Sequence, residues 1–267
     1  MDFGIKDKVA VITGGGSGIG KATADLLAAE GVKLALLGRT EPKLKQVAEA
    51  LSSQTEVITV VADMTKPAAV EAAKQQIFDH YGSVDILVNS AGITGATGDF
   101  LGLTESDWYE TLEINFFGVV RVCKAFIPSM REKGWGRVIL LGSEDAVNPY
   151  IDDMPYCAAK AGILNLAKNL SKAYSKDGVL VNTVSPAYVE SPMTNAMMDK
   201  RSAELGISFE KAVETFLEEE RPHIELGRRG RVEEVAAVIA FLCSQQSSYV
   251  LGSNYRVDGG SVATVGT

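Results

Sequence analysis

Short, largely uninterrupted runs of hydrophobic residues recur along the chain at 9–13, 34–37, 57–61, 86–89, 138–141, 180–184 and 255–257. Each has the length of a strand, and the lack of polar alternation predicts strands covered on both faces. Between them, at 21–30, 42–52, 68–81, 105–133, 158–175 and 233–243, apolar residues return every three or four positions, the spacing of one helix face. This alternation predicts an α/β fold: a doubly wound, parallel, seven-stranded sheet with helices on both faces and right-handed crossovers. No Pro/Gly/Ser-rich linker or charge block divides the chain, so residues 1–267 read as one domain. The stretch 191–229 breaks the rhythm, being charged, helix-compatible and without a strand run, and it carries Met193, Met197 and Met198. Two readings stay open for it: a helical lid inserted over a site, or a solvated helical hairpin packing its methionines.

Composition removes several classes of function. With 26 Lys+Arg against 34 Asp+Glu, the net charge of −8 offers no general attraction to nucleic acid or to an anionic membrane, and neither is expected as a partner. The longest apolar run, 235–243, is half a membrane span, and residues 1–8 hold no apolar signal core. Cys123, Cys157 and Cys243 are odd in number and far apart, which suits neither a disulfide framework nor a zinc site, so a reducing cytoplasm is expected. Only His80 and His223 are present, and no serine lies in G-x-S-x-G, so neither a resident metal nor a serine-hydrolase elbow is expected.

The first strand run leads into Thr13-Gly14-Gly15-Gly16-Ser17-Gly18-Ile19-Gly20, which opens the first helix. Backbone N–H groups and the helix dipole there can receive a pyrophosphate, provided no side chain intervenes. The same stretch nearly spells a phosphate-binding loop, G-x-x-x-x-G-K, from Gly15 to Lys21. Ala22 stands where that motif needs a magnesium-binding hydroxyl, and Thr23 comes one residue late, about 100° around the helix.

The pattern T-G-x-x-x-G-x-G resembles the glycine loop of the short-chain dehydrogenase/reductase family. Further matches follow in family order: Asn89-Ser90-Ala91-Gly92 after the fourth strand run, Asn115 within a helix, Ser143 after the fifth strand, and Tyr156 with Lys160 opening the next helix. The resemblance covers essentially the whole chain and is nearest to 3-oxoacyl-acyl-carrier-protein-reductase-like members; it implies a Rossmann-type fold and hydride transfer between a nicotinamide cofactor and a ketone/secondary-alcohol pair. Tyr156 and Lys160, four apart, share one helix face. A fixed ammonium beside a phenol lowers its pKa, which would make Tyr156 a usable general acid and base. By resemblance, Lys160 also binds the nicotinamide ribose, Ser143 donates to the substrate carbonyl, and Asn115 holds a water linking Lys160 to solvent; Ser143 reads otherwise as a helix-cap or turn hydroxyl, and Asn115 as a buried amide satisfied by backbone.

The resemblance extends to cofactor contacts at Gly14, Ser17, Gly18, Ile19, Gly20, Asp63, Met64, Asn89, Ala91, Gly92, Pro186, Val189 and Ser191. Ser90 replaces the family's second Asn, Ala187 replaces a Gly, so that a positive φ there would carry strain, and Ser191 replaces a Thr. Asp63 reads equally as a helix N-cap. The second strand ends in Gly38-Arg39-Thr40 with no carboxylate to accept from a ribose 2′-hydroxyl, and Arg39 offers a fork suited to a 2′-phosphate. NADP(H) is therefore the expected cofactor, with NAD(H) as the alternative should Arg39 merely pair with Glu41; Ser17 supplies no second cation.

The loop between Ser143 and Tyr156 carries Glu144, Asp145, Asp152 and Asp153, read as a solvated loop. Facing a pocket, they would instead disfavour anionic acyl thioesters and favour neutral polyols or cationic carbonyl compounds. Cys157 reads as a helix neighbour, not a nucleophile. The segment 254–260 resembles the family's last strand, which packs across a two-fold axis, so a homotetramer or dimer is expected by kinship. Two alternatives remain: an NAD(H)-dependent polyol, sugar or steroid dehydrogenase, and a non-catalytic dinucleotide-binding sensor.

Overall fold

A computed structural model describes residues 2–265. At the centre of the sheet β1 (Val9–Thr13) pairs in parallel with β2 (Lys33–Gly38) on one side and β4 (Ile86–Asn89) on the other. β3 (Val57–Val61) completes one flank; β5 (Gly136–Leu141), β6 (Val179–Pro186) and β9 (Asn254–Val257) complete the other. The order is thus β3-β2-β1-β4-β5-β6-β9, every neighbour parallel, as the unalternating runs predict.

Alternate residues of β1 divide between two cores. Val9 and Val11 pack with Val70, Ala73 and Ile77 of α3 (Pro67–Tyr81), with α5 (Gly118–Lys133) and with α6 (Met154–Tyr174). Ala10 and Ile12 face Leu27 of α1 (Gly18–Ala29), Leu44 of α2 (Glu41–Leu51) and Ile239 of α9 (Val232–Cys243). Each large aliphatic side chain so buried contributes about 1.5–3 kcal/mol, which is why both helix layers stay on the sheet.

The periodic stretch 105–133 is interrupted in the structure. α4 (Glu105–Leu112) passes through a π-helical turn, Glu113–Phe117, before α5 begins. The segment 191–229 holds α7 (Pro192–Leu205) and α8 (Phe209–Glu219), which pack against each other, with Tyr188, Met198, Phe216 and Ile224 forming a small core beneath them. Of the three methionines only Met198 is fully buried. A short pair, β7 (Val189–Glu190) with β8 (Gly230–Arg231), closes the ends of this insertion onto each other; no hydrophobic run signals strands so short. Among the described residues no helix is long and apolar enough to cross a membrane, and no group of three His, Cys, Asp or Glu could hold a metal.

From β1 the chain winds outward through β2 and β3, and from β4 through β5, β6 and β9. The direction reverses between β1 and β4, which opens a crevice at the carboxyl ends of these strands. The glycine loop, Asn89, Ser143 and Pro186 all follow or end strands at that edge.

Candidate active site

One cleft of about 420 Å³ runs along this edge, lined at one end by Arg39 and Lys43, in the middle by the glycine loop and Asn89 to Gly92, and at the other end by Ser143, Tyr156 and Lys160. Asp63, Met64, Pro186, Val189 and Ser191 line it too. Gly20 is the one cofactor residue of the sequence reading that does not reach the cleft wall. Its role is packing: a Cβ on Gly20 would lie 2.4 Å from the carbonyl oxygen of Gly14, so only glycine lets α1 approach the loop this closely. Gly14 itself has φ +69°, and a Cβ there would meet the Ala91 nitrogen at 3.1 Å. Thr13 couples the two loops, its hydroxyl donating to Asn89 Oδ1 at 3.0 Å and accepting from the Ser90 and Ala91 nitrogens at 3.1 and 3.2 Å. The phosphate-loop alternative loses its parts: Lys21 pairs with Asp25 at 2.8 Å, and the Thr23 hydroxyl donates to the Ile19 carbonyl at 2.8 Å.

At the Arg39 end, Glu41 pairs with Lys45 at 2.7 Å, and no ion pair joins Arg39 to a carboxylate among the described residues. Lys43, on the first turn and a half of α2, brings a second cation to the same end of the cleft. Sequence reasoning looked for that cation at Ser17 and missed Lys43, whose only signal is its place four residues after Arg39, at the start of a helix. Asp63 does not cap a helix. It accepts from the Thr65 nitrogen and hydroxyl at 2.9 and 2.8 Å, which holds its carboxyl below the usual carboxylate range, with Arg39 adding to the effect.

At the other end, Lys160 is buried and its Nζ donates to the Leu141 carbonyl at 2.8 Å; it lies 5.4 Å from the centre of the Tyr156 ring. Here the expectation that Lys160 lowers the Tyr156 pKa is corrected. Loss of water in the cleft pushes the phenol up, Asp145 pushes it further, and a hydrogen bond with Ser143 only partly opposes them. The same burial pulls the Lys160 ammonium down to about 8, against the attraction of Asp145. Ser143 Oγ donates to Asp145 Oδ1 at 3.1 Å.

Asn115 lies in the π-helical turn, fully buried, with Oδ1 accepting from the Ile93 nitrogen at 3.0 Å and Nδ2 donating to the Thr111 carbonyl at 3.1 Å. Its amide thereby fixes the segment after β4 to the π-turn. A Cβ on Gly92 would come within 2.9 Å of Asn115 Oδ1, so glycine is needed for this approach. The widened turn leaves backbone carbonyls out of the regular helical ladder, a feature that recurs at functional sites.

Two further expectations are corrected. Glu144, Asp145 and Asp153 line the cleft and only Asp152 is exposed, because a short 3-10 turn at Glu144–Ala146 folds the loop inward. Ala187 carries no positive φ; Asp7 is the sole non-glycine residue that does among those described, so Ala187 stores no such strain. Ser191, besides lining the cleft, caps α7 through the Thr194 nitrogen at 3.3 Å. Cys157 is buried, its thiol pushed up to about 11 by loss of water, which fits an inert helix neighbour.

The short chain dehydrogenase family pattern matches residues 8–202. The chain is 32% identical over 253 residues to the 3-oxoacyl-(acyl-carrier-protein) reductase FabG of Salmonella typhimurium, covering 95% of this chain and 96% of that one. It is 34% identical over 260 residues to levodione reductase of Leifsonia aquatica, covering 96% and 95%. The structure of L-sorbose reductase from Gluconobacter frateurii, solved with NADPH and L-sorbose, superposes with a TM-score of 0.94 at 31% identity, covering 99% of this chain and all of that one. With this fold, this cleft and relatives of this likeness along nearly its whole length, the chain belongs to the short-chain dehydrogenase/reductase family and is an oxidoreductase acting on the CH–OH/C=O pair.

Proposed function

We propose that this chain is an NADP(H)-dependent reductase of ketones, with Tyr156 as its general acid and, in the reverse direction, its general base. The observation that carries the reading is a single cleft joining two cations, Arg39 and Lys43, to Ser143, Tyr156 and Lys160. Its middle fits a dinucleotide, since Gly14, Gly16, Gly18 and Gly92 line it without side chains, and the α1 N-terminus offers N–H groups with no side-chain cap to a pyrophosphate. Arg39 and Lys43 would hold the 2′-phosphate, Ser17, Gly18 and Ile19 the pyrophosphate, and Asp63 and Met64 the adenine edge. Asn89, Ala91 and Gly92 would line the adenosine and pyrophosphate side, and Pro186, Val189 and Ser191 the carboxamide. When bound, the cofactor supplies or accepts the hydride.

The phenol of Tyr156, kept protonated by burial, hands its proton to the carbonyl oxygen in reduction. Ser143 donates to the same oxygen, where negative charge develops. Lys160, held by Leu141, presents its ammonium to the ribose hydroxyls and the phenol, and Asn115 keeps the π-turn in place beside it for a water that leads toward solvent. The L-sorbose reductase solved with NADPH supports the choice of cofactor. On the same reading, residues 1–267 form one domain, 191–229 serves as a lid over the substrate end, and the chain works in the cytoplasm as a homotetramer, or failing that a dimer, which light scattering would decide.

The test is a titration with NADPH and with NADH, followed by nicotinamide fluorescence. NADPH is expected to bind at least about tenfold tighter, equivalent to about 1.4 kcal/mol. Tighter NADH binding would reverse the cofactor assignment, and binding of neither would sink the reading.

A further inference from the structure

Resting on the reading that Ser143 and Tyr156 hold the reacting carbonyl, we infer that Asp145 selects the substrate: a ketone carrying a hydrogen-bond donor, hydroxyl or ammonium, one or two atoms from the reacting carbon. Asp145 lines the same cleft end as Tyr156, and its Oδ1 is 3.1 Å from Ser143 Oγ. Ser143 cannot give its one proton both to Asp145 and to a substrate carbonyl. When it turns to the carbonyl, the carboxylate loses that donor, and a substituent beside the carbonyl lies about one hydrogen-bond length away to replace it. A substrate without a donor there would leave a partly buried carboxylate short of partners, which the site would resist.

The charges around Asp145 set the sign of that preference. Glu144 and Asp153 line the same end, against Lys160 and Arg221. Arg221 lies 3.5 Å over the Tyr150 ring and 3.9 Å from Asp153, so its charge is already engaged. Glu144 is taken up by Tyr150 and Ser261. Of the three carboxylates, Asp145 is the one hydrogen-bonded to Ser143, so an anionic substituent beside the carbonyl would meet it head on. Tyr188 also lines the cleft, with its hydroxyl buried behind the wall. Met197, Phe216 and Ile93 add apolar surface to the cleft wall.

The experiment compares four ketones on one carbon skeleton, bearing hydroxyl, ammonium, methyl or carboxylate next to the carbonyl, each assayed with wild type, Asp145→Asn and Asp145→Leu. NADPH dissociation constants check that each variant folds. The quantity read is the ratio of kcat/KM between substrates within one protein. In wild type the hydroxyl and ammonium ketones are expected to exceed the methyl ketone by about tenfold or more, with the carboxylate last. Asp145→Leu should bring the hydroxyl-to-methyl ratio to near one, and Asp145→Asn should keep the hydroxyl preference while losing the ammonium one. Ratios unchanged in Asp145→Leu, or a wild-type preference for carboxylate or methyl, would overturn the assignment while leaving the ketone reductase standing. Reduction of none of the four, with Asp145 intact, would bring down the reductase reading and this one with it.

Discussion

Lys160 is anchored to Leu141 by a 2.8 Å hydrogen bond to the Leu141 carbonyl, which ties the first turns of α6 to the end of β5, two residues before Ser143. Strand end and helix are thereby fixed relative to each other, and Ser143 and Tyr156, which they carry, are aimed into one cleft. A buried ammonium with one carbonyl partner is under-solvated, which is why its pKa falls from 10.5 to about 8. Lys160 therefore carries its charge below about pH 8 and loses it above. Reductive kcat/KM at saturating NADPH is expected to be level up to that point and to decline above it. A profile that stays level to pH 10 would show that the ammonium keeps its ordinary pKa.

Tyr156→Phe removes one hydroxyl and leaves the ring. With proton donation to the carbonyl gone, turnover should fall by about 10²–10⁴-fold. NADPH affinity should stay within about threefold of wild type, because the cradle of glycines and Arg39 is untouched. Retained turnover in this variant would mean that another group donates the proton.

Arg39 and Lys43 should separate in a titration. Arg39→Ala is expected to weaken NADPH by about tenfold or more, while Lys43→Ala gives a smaller loss, because a planar fork can hold a phosphate by two hydrogen bonds and an ammonium acts as a point charge. NADH affinity should change little in either. Equal weakening of both cofactors would place these side chains away from the 2′-phosphate.

Gly20→Ala tests the loop's geometry without altering any charge. Its Cβ would collide with the Gly14 carbonyl at 2.4 Å, a backbone atom that cannot swing aside. Thermal unfolding is expected to shift down by the equivalent of about 1–3 kcal/mol, the usual range for overpacking. NADPH binding should weaken at the same time, since the N–H groups of the loop move with it. An unchanged Tm would mean that α1 approaches the loop less closely.

The inner strands are legible in the sequence because burial on both faces leaves unbroken apolar runs, while the half-buried β3 and β9 show only as apolar runs of strand length; Ser143, Tyr156 and Lys160 are legible because they sit after a strand end or on the first turns of a helix. The π-turn around Asn115 is not legible: apolar residues recur every three or four positions along 105–133 as in one continuous helix, and none of them marks where it widens. Nor is the inward course of Glu144 and Asp145, because acidic loops face water by default and only the Ser143 turn, with its own side-chain cap, folds this one back. Lys43 was hidden by its helix, where a cation every few positions is the ordinary dress of a solvated face. What brings it to the cleft is the packing of α2 against Gly16, whose missing side chain leaves 3.2 Å between a would-be Cβ and the Lys43 Cβ.

Glu144 offers a test of stability against pH. It is buried, accepts from Tyr150 Oη at 3.0 Å and from Ser261, and burial together with Asp145 raises its carboxyl from 4.5 to about 7. Between those two values the folded chain holds a proton that the unfolded chain has released. The folded state then binds more protons, so stability must fall as pH rises through the window, by at most about 3 kcal/mol. Glu144→Gln cannot titrate and is free of that slope. The Tm of wild type minus that of Glu144→Gln should therefore drop steadily from pH 5 to pH 8. A difference that stays constant across this range would mean that Glu144 ionises as readily folded as unfolded, and that the hydroxyls of Tyr150 and Ser261 suffice to hold its charge.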